Sequence, residues 1–191
     1  MHSNDITLGV LAGGRATRLG GLDKAWLERD GVPQVLRLAR QFAPNVASVL
    51  VSANRDLERY RAQGLPVVTD NKPDAGPLGG LEALAHGCCT PWLLTLPVDL
   101  IDVDACLLPT LIANAAADGA FAEDDDGPQP LVALWRIDAL RAGLATTRDS
   151  GDLAVRSLQA QLDMACVRIP GVRFGNLNTP ADLAAAGFPI A

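Results

Sequence analysis

The sequence predicts an α/β fold: a mainly parallel sheet wound with helices on both faces. Short apolar runs rich in β-branched residues alternate with longer stretches of helical spacing, the mark of βαβ units. One run, WLLTLPVD (92–99), is apolar at successive positions, as a central strand buried on both faces must be. Several runs end in glycine or a carboxylate, and ligands of open α/β sheets bind at the carboxyl ends of strands.

The elements follow in order. ITLGVL (6–11) is the first strand and leads into AGG. A helix is expected after Gly31-Val32-Pro33, because Val35, Leu36, Leu38, Ala39 and Phe42 form a stripe of roughly 3.6-residue period. VASVLVS (46–52) is the second strand, RDLERYRAQG (55–64) a short polar helix and LPVVTD (65–70) a third strand. A helix bearing Leu78, Leu81, Leu84 and Ala85 precedes the fourth strand. Beyond it come a helix over 103–117, strands over 119–122 and 131–137, helices near 138–146 and 152–162, and a strand over 164–169. In TPAD (179–182), Thr179 is an N-cap, Pro180 opens the final helix and Asp182 closes a capping box. Residues 123–128, EDDDGP, read as a solvated hairpin tip.

With 191 residues, 49% hydrophobic and 20% charged, the chain is sized for one folded domain, 1–191. A net charge of -6 argues against nucleic acid or a membrane surface as partner. No apolar run reaches the roughly 20 residues of a membrane span, and the first ten residues lack a signal-peptide pattern, so a cytoplasmic protein is expected. The cysteines at 88, 89, 106 and 166 form no C-x-x-C pair and are expected as buried free thiols. His2 and His86 are the only histidines, which leaves little material for a histidine-based triad or metal cluster.

One stretch stands out in this acidic chain: LAGGRATRLGGLDK (11–24). It matches neither G-x-x-x-x-G-K-[ST] nor G-x-G-x-x-G. Its glycines let consecutive backbone N–H groups face one concavity, while Arg15, Arg18 and Lys24 against Asp23 give it a net +2. Fourteen of the sixteen basic residues are arginine, so Lys24 is an uncommon choice here, a compact point charge suited to phosphate. Together with the preceding strand, these features favour a phosphate cradle over a plain turn.

The same stretch resembles the signature of the molybdenum cofactor guanylyltransferases. VLVSANR (49–55), VVTD (67–70), GPLGG (76–80), LPVD (96–99), QPLVAL (129–134) and NLNTPADL (176–183) continue the match in order along nearly the whole chain. The resemblance implies a Rossmann-like fold of the nucleotide-diphospho-sugar transferase type. It further implies transfer of GMP from GTP to molybdopterin with release of pyrophosphate, Mg²⁺ as cofactor, and cofactor-delivery or molybdoenzyme-maturation proteins as partners. The nucleotide-binding part would span about 5–100 and the acceptor-binding part about 101–191. By the family pattern Leu11, Ala12, Gly13, Lys24, the polar position of Ser52 or Asn54, and Asp70 contact the nucleotide, with Gly14, Arg18 and Gly21 completing the cradle. Lys24, Arg18 and Asp99 are the implied catalytic residues, and Asp99 also meets the nucleotide and the metal. Gly76, Gly80, Asn176 and Asn178 line the acceptor side, or alternatively form turns and a capping network.

The chemistry is compatible with these residue types. A terminal phosphate, with a second pKa of about 6, is an anionic nucleophile at neutral pH and needs no histidine base. Guanine offers N1–H and an exocyclic amine on one edge, which a carboxylate such as Asp70 accepts. Three departures from the family pattern stand beside the match. Ser52 replaces a common asparagine, PVDLI (97–101) replaces P-C-D-x-P, and of an expected basic pair near 150–157 the nearest candidate is Arg156. A molybdopterin cytidylyltransferase, a sugar-phosphate nucleotidyltransferase of the same fold and a non-catalytic nucleotide-binding relative are the alternative readings.

Overall fold

In the computed structural model, the residues described are 1–13, 23–71, 76–150 and 154–188, the side chains of 148–150 excepted. A seven-stranded sheet has the order β5-β4-β1-β6-β8-β7-β9. Its strands are β1 (Ile6–Leu11), β4 (Ser48–Ser52), β5 (Val67–Val68), β6 (Trp92–Pro97), β7 (Gly119–Asp124), β8 (Gly127–Arg136) and β9 (Met164–Arg168). Every pairing is parallel except those of β8, which runs against both β6 and β7. Two short strands, β2 (Glu28–Arg29) and β3 (Val32–Pro33), form a separate hairpin that the sequence did not announce.

Alternation along β1 sorts its side chains to two faces, as a two-residue side-chain period requires. Ile6, Leu8 and Val10 pack with α1 (Gln34–Phe42), α2 (Leu57–Ala62) and α4 (Leu107–Asn114). Leu11 belongs to the opposite layer, with α3 (Gly76–Gly87), α5 (Ile137–Ser150) and α6 (Val155–Gln161). The fourth of the seven strands is β6, and Leu93, Leu94 and Leu96 are fully buried, as the two-sided apolar run predicts. The chain closes with α7 (Pro180–Ala185), where the capping box expected from Thr179 and Asp182 is present. No helix among the described residues is long and apolar enough to cross a membrane.

Several expectations are corrected. The helix expected over 103–117 is confined to α4, because Pro109 lacks an N–H and is tolerated only in the first turn of a helix. Just before it, the Asp104 carboxylate accepts the Cys106 N–H at 2.6 Å and makes a turn instead. Strand β8 begins at Gly127 rather than 131, since a register shift opposite Phe121 and Ala122 accommodates Pro130. Only Cys88 is a buried thiol; Cys89, Cys106 and Cys166 are exposed, at a helix exit, a helix entry and the edge strand.

The acidic run does form a hairpin tip, but it is not a uniformly solvated one. Asp124 is 1% exposed, and its oxygens accept from the Phe174 N–H at 2.9 Å, the Asp126 N–H at 2.9 Å and Gln129 Nε2 at 3.1 Å. Burial pushes its pKa up, but the hydrogen bonds outweigh burial and hold it below the ordinary aspartate value. Neighbouring Glu123 and Asp125 pair with Arg168 of β9.

Candidate active site

The carboxyl ends of β1, β4, β5 and β6 converge, and backbone bonds lock them together. Ala12 N–H donates to the Ser52 carbonyl at 2.9 Å, and Val98 N–H donates to the Leu11 carbonyl at 3.0 Å. Leu11 is buried, while Ala12 is half-buried and Gly13 exposed beside Asn54. Gly14, Arg15, Arg18 and Gly21 lie outside the described residues.

Lys24 opens a 3-10 turn, Lys24–Trp26, whose Asp23 cap accepts the Ala25 N–H at 3.0 Å. Trp26 anchors this turn to α2, with its ring 4.8 Å from that of Tyr60 and the Arg59 guanidinium 4.1 Å above it. From this support Lys24 Nζ donates to Asp99 Oδ2 at 2.9 Å and to Asn178 Oδ1 at 2.8 Å. The fold thereby joins residues 75 and 154 positions apart.

Asp99 follows β6 on a loop held from two sides. Buried Gln34, at the start of α1, donates from Nε2 to the Leu100 carbonyl at 2.7 Å. On the other side, the Ile101 and Asp102 N–H groups both meet the Phe174 carbonyl at 3.0 Å, and Leu177 N–H meets the Asp99 carbonyl at 2.9 Å. Ile101, standing where the family pattern has proline, therefore ties the loop through an N–H that proline lacks.

A second cluster forms around Asp70. Asn54 Nδ2 donates to Asp70 Oδ2 at 2.9 Å, the Asp70 N–H returns to Asn54 Oδ1 at 3.0 Å, and Ser52 Oγ donates to Asp70 Oδ1 at 3.3 Å. Ser52 is fully buried, so its hydroxyl orients Asp70 rather than facing the cleft. Asn54 and Asp70 present the polar surface. Each oxygen of Asp70 keeps further acceptor capacity, because a carboxylate oxygen has two lone pairs.

The acceptor-side candidates divide. Asn176 and Asn178 flank buried Leu177 on the segment that bonds the Asp99 loop, with an isolated bridge between Leu100 and Asn176. Gly76 is exposed at the first turn of α3 with φ +61°, a conformation that favours glycine. Gly80 is instead buried in the packing of α3 on the sheet, where a Cβ would come within 2.9 Å of Leu11 Cδ2 and 3.0 Å of Ser52 Oγ. Arg156 is exposed on α6. His86 is on α3, its Nδ1 hydrogen-bonded to the Glu82 carbonyl at 2.8 Å.

Two contributors escaped the sequence reading. Gln34 carries no motif, and the hydrogen bond from Lys24 to Asn178 needs the fold to become visible.

Comparison with known proteins decides the family. Residues 8–165 match the model of the MobA-like NTP transferase domain. The chain belongs to the MobA-like NTP transferase family. It is 36% identical over 192 residues to the molybdenum cofactor guanylyltransferase of Bordetella pertussis, covering 96% of this chain and 97% of the relative. Its identity to the protein of that name from Serratia proteamaculans is 38% over 189 residues, covering 95% and 93%. Among solved structures, the molybdopterin-guanine dinucleotide biosynthesis protein A of Archaeoglobus fulgidus superposes with a TM-score of 0.73 at 20% identity, covering 95% of this chain and 96% of that one. The 2-C-methyl-D-erythritol 4-phosphate cytidylyltransferase of Thermus thermophilus gives 0.68 at 18% identity, covering 94% and 96%. These neighbours establish the nucleotide-diphospho-sugar transferase fold, and family membership makes the protein a nucleotidyltransferase.

The donor set is compatible with one divalent cation. Asp99 Oδ2 receives Lys24, whereas Oδ1 accepts no hydrogen bond among the described residues. Among those residues no group of three or more His, Cys, Asp and Glu could cage a metal. Mg²⁺ suits such a place, because it takes one or two carboxylates together with phosphate oxygens and water.

Proposed function

We propose that the protein transfers GMP from GTP to the molybdopterin form of the molybdenum cofactor, forming the guanine dinucleotide and releasing pyrophosphate. The observation that carries the reading is the meeting of Lys24 with Asp99, just beyond the carboxyl end of β6, in a chain whose relatives over nearly its full length are guanylyltransferases.

In this mechanism a terminal phosphate oxygen of the acceptor attacks the α-phosphorus of GTP. The new P–O bond forms as the bond from that phosphorus to the β-phosphate bridge breaks, and pyrophosphate leaves with the electron pair. The phosphate nucleophile is already anionic, so positioning and charge neutralisation supply the catalysis. Lys24 brings the ammonium to the phosphates, Gly13 exposes backbone beside them, and Asp99 would hold Mg²⁺. Bound there, Mg²⁺ supplies charge neutralisation at the phosphate oxygens. Asn54 and Asp70 offer the acceptor edge that favours guanine.

Product analysis tests the reading. With GTP, molybdopterin and Mg²⁺ supplied, one guanine dinucleotide is expected per pyrophosphate released, and removal of Mg²⁺ by chelation should stop both. CTP in place of GTP should bind more weakly and yield little product; tighter CTP binding would overturn the guanine assignment.

A further inference from the structure

Asn178 belongs to the acceptor side by resemblance, yet its side chain touches the cation of the nucleotide site. We propose that Asn178 is a positioning residue for Lys24, through which the last loop of the chain fixes the charge that meets the triphosphate. This inference rests on Lys24 being the phosphate-binding cation of the proposed function.

A lysine ammonium has three donors on a flexible four-carbon stem. Asp99 Oδ2 and Asn178 Oδ1 take two of them, at 2.9 and 2.8 Å, and among the described residues the third has no acceptor and is left for a phosphate oxygen. The two acceptors act differently. Asp99 cancels the ammonium charge, while the neutral amide oxygen of Asn178 orients the ammonium and leaves its charge intact. If Asp99 held a metal ion, its charge would be shared between that ion and Lys24, and Asn178 would be the acceptor of Lys24 that the metal does not draw on.

Asn178 is itself held. The Asn178 and Thr179 N–H groups donate to Asp182 Oδ2 at 3.1 and 2.8 Å, within the cap of α7. Thr179 hydrogen bonds, followed by the Asn178 N–H and the Lys24 charge, keep the Asp182 carboxyl below its usual range, so the cap is ionised at neutral pH. One residue upstream, Leu177 is fully buried and bonded to the Asp99 carbonyl. Further upstream, Phe174 N–H is bonded to buried Asp124. The acceptor for Lys24 therefore extends from a segment whose register is tied to the Asp99 loop. Pre-ordering a rotamer-rich lysine lowers the cost of ordering it when GTP arrives, so Asn178 should act on GTP binding before any acceptor is present.

The test is a double-mutant cycle on GTP affinity, measured calorimetrically with Mg²⁺ and no molybdopterin. Asn178→Ala should weaken GTP binding by roughly 3- to 10-fold with an unchanged melting temperature. Lys24→Ala should weaken it more, and adding Asn178→Ala to Lys24→Ala should cost less than about twofold further. If Lys24→Ala leaves GTP binding unchanged, the phosphate role of Lys24 fails. If Lys24→Ala weakens binding while Asn178→Ala does not, or the two effects are independent, only the role of Asn178 fails. A nucleotide-free readout is also at hand, because Lys24 and Lys72 are the only lysines and Lys72→Arg assigns their ammonium NMR signals. Asn178→Ala should move the Lys24 signal in the free protein, and an unmoved signal would overturn the proposal.

Discussion

Two aspartates at strand ends of one sheet, Asp99 after β6 and Asp124 at the end of β7, with β8 between those strands, show how differently one side chain is used. Asp124 is 1% exposed and held through both oxygens by N–H donors from Phe174, Asp126 and Gln129. The Asp99 side chain is 23% exposed and meets a lysine through one oxygen. A carboxylate bonded by fixed donors stabilises the fold and has little capacity left for chemistry. One that shares a flexible cation at the surface can exchange that partner for a metal or yield it to a phosphate. The segment from Phe174 to Asn178 joins the two: Phe174 N–H bonds Asp124, and Leu177 N–H bonds the carbonyl of Asp99.

The largest effect that sharpens this contrast is expected at the lysine of the half-buried pair. Lys24→Ala should lower turnover by about 100-fold or more, the scale of losing one transition-state donor, while thermal unfolding stays near wild type. Pyrophosphate release and a melting curve on the same preparation check both halves of that statement.

At the buried aspartate the balance should reverse. Asp124→Ala leaves three donors without their acceptor and should cost about 3 kcal/mol of stability. That lowers the melting temperature by roughly 6–12 °C, with far less loss of turnover per folded molecule. Denaturant titration and calorimetry would break the comparison if the variant were as stable as the parent.

Acid titration probes Asp124 more gently. Burial raises the pKa of Asp124, but hydrogen bonds from Phe174, Gln129, Asp126 and Gly127 together lower it. Its contribution to stability is thus fully present above the unfolded aspartate pKa of about 3.9 and is lost as pH falls through the lower folded value. Asp124→Asn should flatten the acid side of a stability-against-pH curve, and an unchanged slope would contradict the assignment.

The smallest expected effect is at the link between them. Ile101→Pro restores the family-like residue but removes the N–H that meets the Phe174 carbonyl, a bond Asp102 N–H partly duplicates. It should cost up to about 1 kcal/mol; a gain in stability would show that the proline, not the hydrogen bond, is the better tie.

Much of this arrangement was legible in the sequence. Strand ends and the Thr179 capping box are local patterns, readable from residues a few positions apart. The partners of Lys24 were not, because Asp99 and Asn178 reach it from 75 and 154 residues away. The run EDDDGP looked solvated because its donors at Phe174 and Arg168 come from a later strand and loop. The prolines at 128 and 130 masked the start of β8, where Pro128 pairs with Glu123 and a register shift accommodates Pro130. Gly80 carried a family motif, yet only three-dimensional packing shows it buried against Leu11 and Ser52.

The central claim is that the half-buried Asp99 serves the chemistry and the fully buried Asp124 serves the fold. Pyrophosphate release from GTP with molybdopterin and Mg²⁺, measured side by side for Asp99→Asn and Asp124→Asn and corrected for the folded fraction, tests it most directly. Asp99→Asn should fall by about 100-fold or more, whereas Asp124→Asn should stay within a few-fold of wild type. Equal rates for the two variants would contradict the account.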